Sequence, residues 1–223
     1  SPGLNNISLE VYGGEIFGIC AVSGNGEKDL ASCLANPRLI EKGDYLVKGK
    51  RVNELDTLSL FKEGVFYTPS DRIVEGILPD GSIMENVLLG HQTDNDFLKR
   101  KIFIDWQEVR NAARKTIQNL QVKAPHEEIE IRRLSGGNIQ RVIIGRALLN
   151  ELDLFITHNT TSGLDVSSVE FIFKKLVEIR QNGGAVFWIN EDLDELMILS
   201  DRIGVLFNGE LKGIFTRDQF DKY

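Results

Sequence analysis

Apolar and polar residues alternate with the period of a β-strand near the start of the chain. Ile7–Val11 alternates in this way, and a Gly13-Gly14 turn leads into a second apolar run over Glu15–Val22, so we predict two strands. Two glycines follow, and the apolar spacing then changes to a helical period as far as Ala35. A strand, a glycine loop and a helix in this order are typical of α/β folds that bind nucleotides.

The same periodicities predict a longer α/β body with an insertion. From about Ile83 to Ile131 the sequence becomes charged and helical, and we interpret it as an inserted helical subdomain. The Asn208-Gly209 pair between two apolar runs predicts a terminal hairpin. The other predicted strands are Tyr45–Val47, Val65–Thr68, Leu152–Thr157 and Ala185–Ile189, and the other predicted helices are a segment that ends at Leu149 and Ser167–Gln181.

Composition narrows the classes of function. The net charge of −7 over 223 residues argues against a nucleic-acid binder, which usually has a basic face. Cys20 and Cys33 give no disulfide framework, and Cys20 is expected to be buried in its apolar strand. No apolar run approaches the ~20 residues of a membrane span. Three histidines and two cysteines make a zinc site an unfavourable interpretation.

The glycines before the first helix belong to a damaged phosphate loop. A working loop reads G-x-x-x-x-G-K-[S/T]: backbone N–H groups cradle the phosphates, the lysine reaches their oxygens and the hydroxyl holds Mg²⁺. Here Ala21 stands at the first glycine, Glu27 at the lysine and Lys28 at the hydroxyl. We predict a degenerate nucleotide-binding loop made of Ser23, Gly24, Asn25, Gly26, Glu27 and Lys28.

Glu27 reverses the charge of this loop. A unit charge about 4 Å from a phosphate oxygen contributes roughly 4 kcal/mol at an effective dielectric near 20, so replacing Lys by Glu weakens binding by up to about 8 kcal/mol. Glu27 can swing out to solvent, which reduces the penalty, or act as a favourable acid on the first helical turn. We expect ATP to bind weakly or not at all in cis.

The predicted strand that ends at Thr157 is not followed by an acid. In P-loop ATPases such a strand ends in an Asp that holds Mg²⁺, often followed by a catalytic Glu. His158 and Asn159 occupy these places, and neither supplies a base or a good Mg²⁺ ligand. We therefore predict no catalytic residue in cis and no metal site, and interpret His158 as a strand-end imidazole hydrogen-bonded to nearby backbone.

One phosphate-contacting element is intact. In Leu134-Ser135-Gly136-Gly137-Asn138-Ile139-Gln140 the glycine pair lets the backbone approach a phosphate closely, and Ser135 offers a hydroxyl at the start of a helix. Free N–H groups and the helix dipole favour an anion there. The site residues assigned to this element are Leu134, Ser135, Gly136, Gly137, Asn138 and Gln140.

These motifs, in this order, resemble the nucleotide-binding domains of ATP-binding cassette (ABC) transporters, from about Leu4 to Phe215. Residues 134–140 look like the signature motif of that family, and Ser70 and Asp71 fall in its Q-loop region. Glu191 lies where the switch histidine is usual. The segment Gly163, Leu164 and Asp165 looks like the D-loop. Together with Asn190–Leu196, the set is similar to the second, C-terminal and degenerate domain of the tandem ATPase subunit of simple-sugar and nucleoside importers.

The resemblance implies an α/β fold: a P-loop NTPase-like ABC ATPase core with an N-terminal antiparallel β portion and an inserted α-helical subdomain. We place the core in residues 1–82 and 134–223 and the helical subdomain in residues 83–133. The Ser1-Pro2-Gly3 start is typical of a cut inside a longer chain, with Pro2-Gly3 in a linker. A second nucleotide-binding domain is accordingly expected, fused on the N-terminal side.

The resemblance also implies how the domain works. In that family two domains face each other head to tail, and each ATP site combines the phosphate loop of one with the signature of the other. We expect this domain to be impaired in hydrolysis, to supply its signature in trans, and to couple ATP to import of a simple sugar or nucleoside. The implied partners are a second nucleotide-binding domain, permease subunits and, indirectly, a solute-binding protein, with no nucleic acid. The implied location is the cytoplasmic face of the plasma membrane.

Two alternatives stay open. One is a slow but genuine ATPase, in which Lys28 replaces the missing lysine after a shift of the loop. The other is a soluble ABC protein of translation or DNA repair, against which the acidic balance counts. The run Glu191–Leu196 favours nucleoside over sugar, although the choice of solute belongs to other subunits.

Overall fold

The computed structural model describes residues 3–220, so the linker expected at Pro2-Gly3 begins outside the described residues. The helices are α1 (Glu27–Ala35), α2 (Thr57–Lys62), α3 (Ile83–Leu88), α4 (Trp106–Asn119), α5 (Gly136–Ala147), α6 (Val166–Gln181) and α7 (Leu193–Leu199). The strands are β1 (Ile16–Cys20), β2 (Leu46–Val47), β3 (Lys50–Arg51), β4 (Val65–Thr68), β5 (Leu98–Lys99), β6 (Phe103–Ile104), β7 (Leu154–His158), β8 (Ala185–Asn190), β9 (Arg202–Phe207) and β10 (Glu210–Thr216).

The chain divides into two compact units. The first holds the described residues up to Ser70, Leu152–Thr160 and the described residues from Phe173 onward. The second holds Asp71–Glu151 and Thr161–Ile172. The functional boundaries at residues 82/83 and 133/134 stay a prediction.

A mixed sheet forms the first unit, with the strand order β10-β9-β1-β8-β7-β4. Every neighbouring pair is parallel except β10 with β9, which form the hairpin predicted at Asn208-Gly209. Parallel strands are normally covered on both faces, which explains why they read as continuous apolar runs rather than alternating ones. Their carboxyl ends all lie at one edge of the sheet.

Aromatic residues in matched register stabilise this sheet. Phe17 on β1 lies opposite Phe187 on β8, and their rings stack with centroids 5.8 Å apart. Phe66 and Phe155 stack in the same way across β4 and β7, at 5.9 Å. Burying such a side chain contributes roughly 1.5–3 kcal/mol, so these pairs hold the strands in a single register.

A buried polar network holds the second unit together. The guanidinium of Arg146, on α5, donates to the backbone oxygens of Gly76 (3.0 Å) and Asn86 (3.4 Å). Burial lowers the pKa of Arg146 to about 10. His91 Nε2 bonds to the carbonyl of Arg146 at 3.0 Å, and Nδ1 bonds to Asp94 at 2.7 Å. The segment between Gly76 and His91 is thereby tied to α5.

The structure differs from three local predictions. Ile7–Val11 is not a strand: its apolar side chains pack on the core of the first unit, but its backbone joins no ladder. The region predicted to be charged and helical also contains the β5–β6 hairpin, which we did not predict and whose turn residues Arg100 and Lys101 adopt positive φ without a glycine or asparagine signal. Cys20, expected to be buried, is half-buried.

We predict that Gly145→Ala destabilises the second unit. A Cβ at this helical position would overlap the Thr116 methyl group on α4. Overpacking costs about 1–3 kcal/mol, which outweighs the ~1 kcal/mol that Ala gains over Gly inside a helix. Equilibrium unfolding measures the change, and Thr116→Ser, which removes only that methyl, should abolish the loss. Equal destabilisation by Gly145→Ala in both backgrounds would contradict this packing.

Candidate functional site

The topology of the first unit brings three of the predicted segments to one edge. The phosphate loop follows β1, β7 ends at His158 and is followed by Asn159, and Glu191 follows β8. Because β1, β8 and β7 are parallel neighbours, these segments lie side by side. In open α/β sheets, ligands bind at this carboxyl edge.

Glu27 is turned into the phosphate loop rather than out to solvent. Its Oε1 accepts a hydrogen bond from the Gly24 N–H at 3.1 Å, and its Oε2 accepts one from the Asn25 N–H at 2.9 Å. The residue is 2% exposed. The expectation that Glu27 swings out to solvent is therefore wrong, because two backbone donors of its own loop hold the carboxylate. Lys28, one position later, is exposed.

At the end of β7, Asn159 and Glu191 bond to each other. The Asn159 side-chain amide donates to Glu191 Oε1, and the Glu191 backbone N–H donates to Asn159 Oδ1, both at 3.2 Å. Asn159 adopts a positive φ of 46°, a conformation that asparagine tolerates better than most residues. Two of the predicted site positions therefore form a reciprocal hydrogen-bonded pair.

His158 is buried beside the loop. It is 2% exposed, and its Nε2 has no hydrogen-bond partner among residues 3–220. The hydrogen bond to nearby backbone that we expected for His158 is therefore not made by Nε2. Burial lowers the pKa of His158, the charge of Glu27 opposes that shift, and the charge of Lys28 adds to it.

The signature element lies in the second unit and starts α5. Ser135 is exposed at the N-cap, and within residues 3–220 its side chain makes no capping bond to the helix. The Asn138 amide donates to Ser135 Oγ at 2.8 Å, while Asn138 Oδ1 accepts from the Lys123 N–H, also at 2.8 Å. Since Ser135 Oγ accepts this bond, its own hydrogen remains available to donate to another group.

Close packing explains why both positions of the signature pair, Gly136 and Gly137, are glycine. A Cβ at Gly137 would overlap the Ser168 hydroxyl, and one at Gly136 would lie 3.0 Å from the Arg72 guanidinium. Ser168 Oγ donates to Asp165 Oδ2 at 2.7 Å. Hydroxyl hydrogen bonds from Ser167 and Ser168 hold the pKa of Asp165 well below its ordinary range. The glycine pair thus admits the D-loop and the start of α6 close to α5.

Arg72 and Ser168 are contributors to this element that the site prediction missed. Arg72 Nη1 donates to the carbonyl of Ser162 at 3.2 Å, which joins the segment after β4 to the D-loop. Burial lowers the pKa of Arg72. The pattern Asp71-Arg72 could have marked the arginine, but Ser168 looks like an ordinary residue of a helix start.

The remaining predicted residues are placed as follows. Asp71 Oδ1 accepts from the N–H groups of Ile73 and Val74 and so caps its own turn, while Ser70 lies two residues after the end of β4. Gln140 is 1% exposed, and its amide has no hydrogen-bond partner in the described part of the chain. Leu134 is half-buried, Ser23 is exposed, and Gly163 and Gly26 adopt positive φ.

Comparison with known proteins identifies the family. The family model described as ABC transporter matches residues 4–162. The chain therefore belongs to the ABC transporter family. It is 36% identical to the guanosine import ATP-binding protein of Bacillus subtilis over 93% of this chain and 41% of that protein. It is 33% identical to the glucose import ATP-binding protein of Haloferax volcanii, over 98% of this chain and 40% of that protein. This ABC chain spans about two fifths of the length of these curated relatives.

Solved structures agree on the fold. A dimeric ATP-binding cassette in a post-hydrolysis state, bound to ADP and Pi, superposes with a TM-score of 0.78 at 23% identity. The match covers 97% of this chain and 91% of that one. A second cassette in its ADP conformation has a TM-score of 0.76 at 21% identity, and the match covers 97% of this chain and 86% of that one. The predicted ABC ATPase fold class is confirmed, with a mixed sheet and helices.

The phosphate loop of this ABC chain does not fit the usual ligand. ABC ATPases bind ATP, usually with Mg²⁺. Here the N–H groups of Gly24 and Asn25 already bond to Glu27. A phosphate oxygen about 4 Å from that carboxylate would be repelled by roughly 4 kcal/mol per unit charge. Among residues 3–220, no cluster of His, Cys, Asp and Glu is arranged to hold a metal ion. No helix in this part of the chain has the length and apolar character needed to cross a membrane.

We predict that His158 makes stability depend on pH. Because its pKa is lowered in the folded state, the unfolded chain takes up a proton first as the pH falls through about 6.5. The unfolding free energy of the wild type should therefore fall below this pH, by at most about 1.4 kcal/mol per pH unit for one proton. Denaturant unfolding at pH 7.5, 6.5 and 5.5 measures the slope.

His158→Gln should flatten this slope, whereas His126→Gln, at an exposed histidine, should keep it. A slope that is the same in all three proteins would show that burial of His158 has no linkage to folding.

Proposed function

We propose that this domain is the non-hydrolytic half of the ATPase of an ABC importer for simple sugars or nucleosides. It supplies its signature element in trans to ATP held by a partner nucleotide-binding domain. Its own phosphate loop binds ATP weakly or not at all, and Mg²⁺ has no place there. The partner domain is fused on the N-terminal side of the same subunit, at the cytoplasmic face of the membrane beside the permease subunits.

The observation that carries this proposal is the reciprocal pair of Asn159 and Glu191. These residues stand where the family places the groups that orient and activate water, and each is bonded to the other at 3.2 Å. A neutral amide cannot act as a general base, and the one carboxylate of the pair is engaged by that amide. The adjacent His158 is held neutral by burial at ordinary pH.

The signature element supports a role in trans. The N-terminal N–H groups of α2, α3, α4 and α7 are capped by side chains, whereas those of α1 and α5 have no side-chain cap within the described residues. Ser135 Oγ accepts from the Asn138 amide, so its hydroxyl keeps a hydrogen that can be donated to another group. Uncapped N–H groups, a hydroxyl donor and a helix dipole together suit a phosphate that another domain presents.

The relatives indicate the class of solute. Their names specify import of guanosine, glucose and, for a Lactococcus lactis protein 30% identical over 98% of this chain, nucleosides. We propose a solute of this group, delivered by a solute-binding protein and passed through the permease. Nucleic acid is not among the proposed partners.

We predict that the 223-residue chain has no ATP turnover that depends on Lys28. Lys28 is exposed and lies beside a loop whose donors are already used by Glu27, so it has no route to the role of the missing lysine. Phosphate release from wild type and Lys28→Ala should be equally low in a coupled assay. Turnover above background that Lys28→Ala removes would instead establish the slow ATPase.

We predict that Ser135→Ala lowers ATP hydrolysis by the assembled transporter about tenfold or more, because it deletes a donor aimed at the phosphate of the partner site. Asn159→Ala should leave the rate within about twofold, since the proposal gives Asn159 no contact with reacting atoms. Thermal unfolding of both variants checks that folding is intact. Equal losses in the two variants, or a loss only in Asn159→Ala, would reject the assignment of roles.

A further inference from the structure

The bidentate contact of Glu27 is the most informative feature that the family assignment leaves unexplained. Its two carboxylate oxygens take the N–H groups of Gly24 and Asn25, one oxygen to each. In a working loop such backbone donors cradle a phosphate, which is also an anion with several acceptor oxygens. Glu27 therefore offers the loop the same chemistry from within the chain.

The backbone of the loop is shaped to hold an anion. Gly24 and Gly26 adopt φ values of 91° and 101°, in the left-handed region that favours glycine. Successive N–H groups in such conformations can converge on one concave point, which is an anion-binding nest. The carboxylate at this point belongs to a residue that is only 2% exposed.

Other parts of the first unit complete the loop without any added group. The Asn25 amide donates to the carbonyl of Val22 at 2.8 Å. The backbone N–H groups of Asn208 and Gly209, in the β9–β10 turn, donate to Asn25 Oδ1 at 3.1 Å and to the Asn25 carbonyl at 2.8 Å. A Cβ at Gly26 would lie 3.1 Å from the Gly209 Cα, so the turn packs directly on the loop.

We propose that the Glu27 carboxylate is an internal ligand that takes the place of a nucleotide phosphate in this loop. It keeps the loop folded without nucleotide, and both its charge and its position exclude phosphate anions. This deepens the proposed function, on which it rests only for the idea that the loop belongs to the non-hydrolytic half. The contact between Glu27 and the loop lies within this domain and does not require a partner domain.

Isothermal calorimetry of the 223-residue chain with ADP, and separately with inorganic phosphate, tests the exclusion. The wild type should give no binding heat up to millimolar ligand. Glu27→Ala removes the carboxylate and frees two N–H donors, so its association constant for ADP should be at least about tenfold above the wild-type limit. Asp29→Ala is the matched control, because it removes an acid from the same helical turn but leaves the loop contact, and should behave as wild type.

Amide hydrogen exchange tests the contact independently of binding. The backbone N–H groups of Gly24 and Asn25 should be protected from exchange in the wild type. They should exchange at least about tenfold faster in Glu27→Gln, which loses the charge of the side chain but keeps its shape. Asp29→Asn should not change them. This readout stands even if Glu27→Ala proves too unstable for calorimetry.

Two results would overturn the internal ligand: micromolar ADP binding by wild type, or exchange of these two amides that Glu27→Gln leaves unchanged. Neither depends on hydrolysis or on a partner domain. If Ser135→Ala leaves the ATP hydrolysis rate of the assembled transporter unchanged, the role in trans is rejected, but the proposal for Glu27 is not affected. The two proposals can therefore fail separately.

Discussion

Parallel pairing of β1 with β8 and β9 is the constraint on which the first unit depends. The pairing fixes which residue of each strand ends at the carboxyl edge, and a slip of one residue would exchange the two faces of a strand. The packing around β1 is tight at Gly18, because a Cβ at this position would lie 2.6 Å from the Ser200 hydroxyl. The phosphate loop, His158 and Glu191 are neighbours because this register allows one arrangement.

Glycine has a different purpose in each of the two phosphate-related elements. In the loop, Gly24 and Gly26 supply backbone conformations that turn N–H groups inward, where Glu27 binds them. In the signature element, Gly137 supplies space for the Ser168 hydroxyl, while Ser135 at the N-cap makes no capping bond to α5 within the described residues. The loop donors are bonded within the chain, whereas the signature element is the one that we propose to contact a phosphate from a partner domain. This contrast fits a domain that assists hydrolysis elsewhere.

The periodicity of apolar residues was enough to predict the sheet, because Ala185–Ile189 is a continuous apolar run that is fully buried and the Asn208-Gly209 pair gives the β9–β10 hairpin clear turn chemistry. It failed at Ile7–Val11, since alternation reports one buried face and says nothing about a hydrogen-bonded neighbour. The sequence showed that Glu27 has the wrong charge for phosphate. It could not show the direction of the side chain, which depends on donors that exist only once the glycine loop has folded. The contact of Gly137 with Ser168 was hidden for the same reason.

The hydrogen bonds between Asn25 and the Asn208-Gly209 turn have a consequence for the order of folding. The bond from the Asn208 N–H joins residues 183 positions apart, so it closes one of the longest loops that this chain can form. Contacts of such separation form late, after the entropy of loop closure has been met by other interactions. A ribosome releases the amino-terminal part first. In a nascent chain, the phosphate loop can therefore form its hydrogen bonds to Asn208 and Gly209 only after the β9–β10 hairpin has been synthesised.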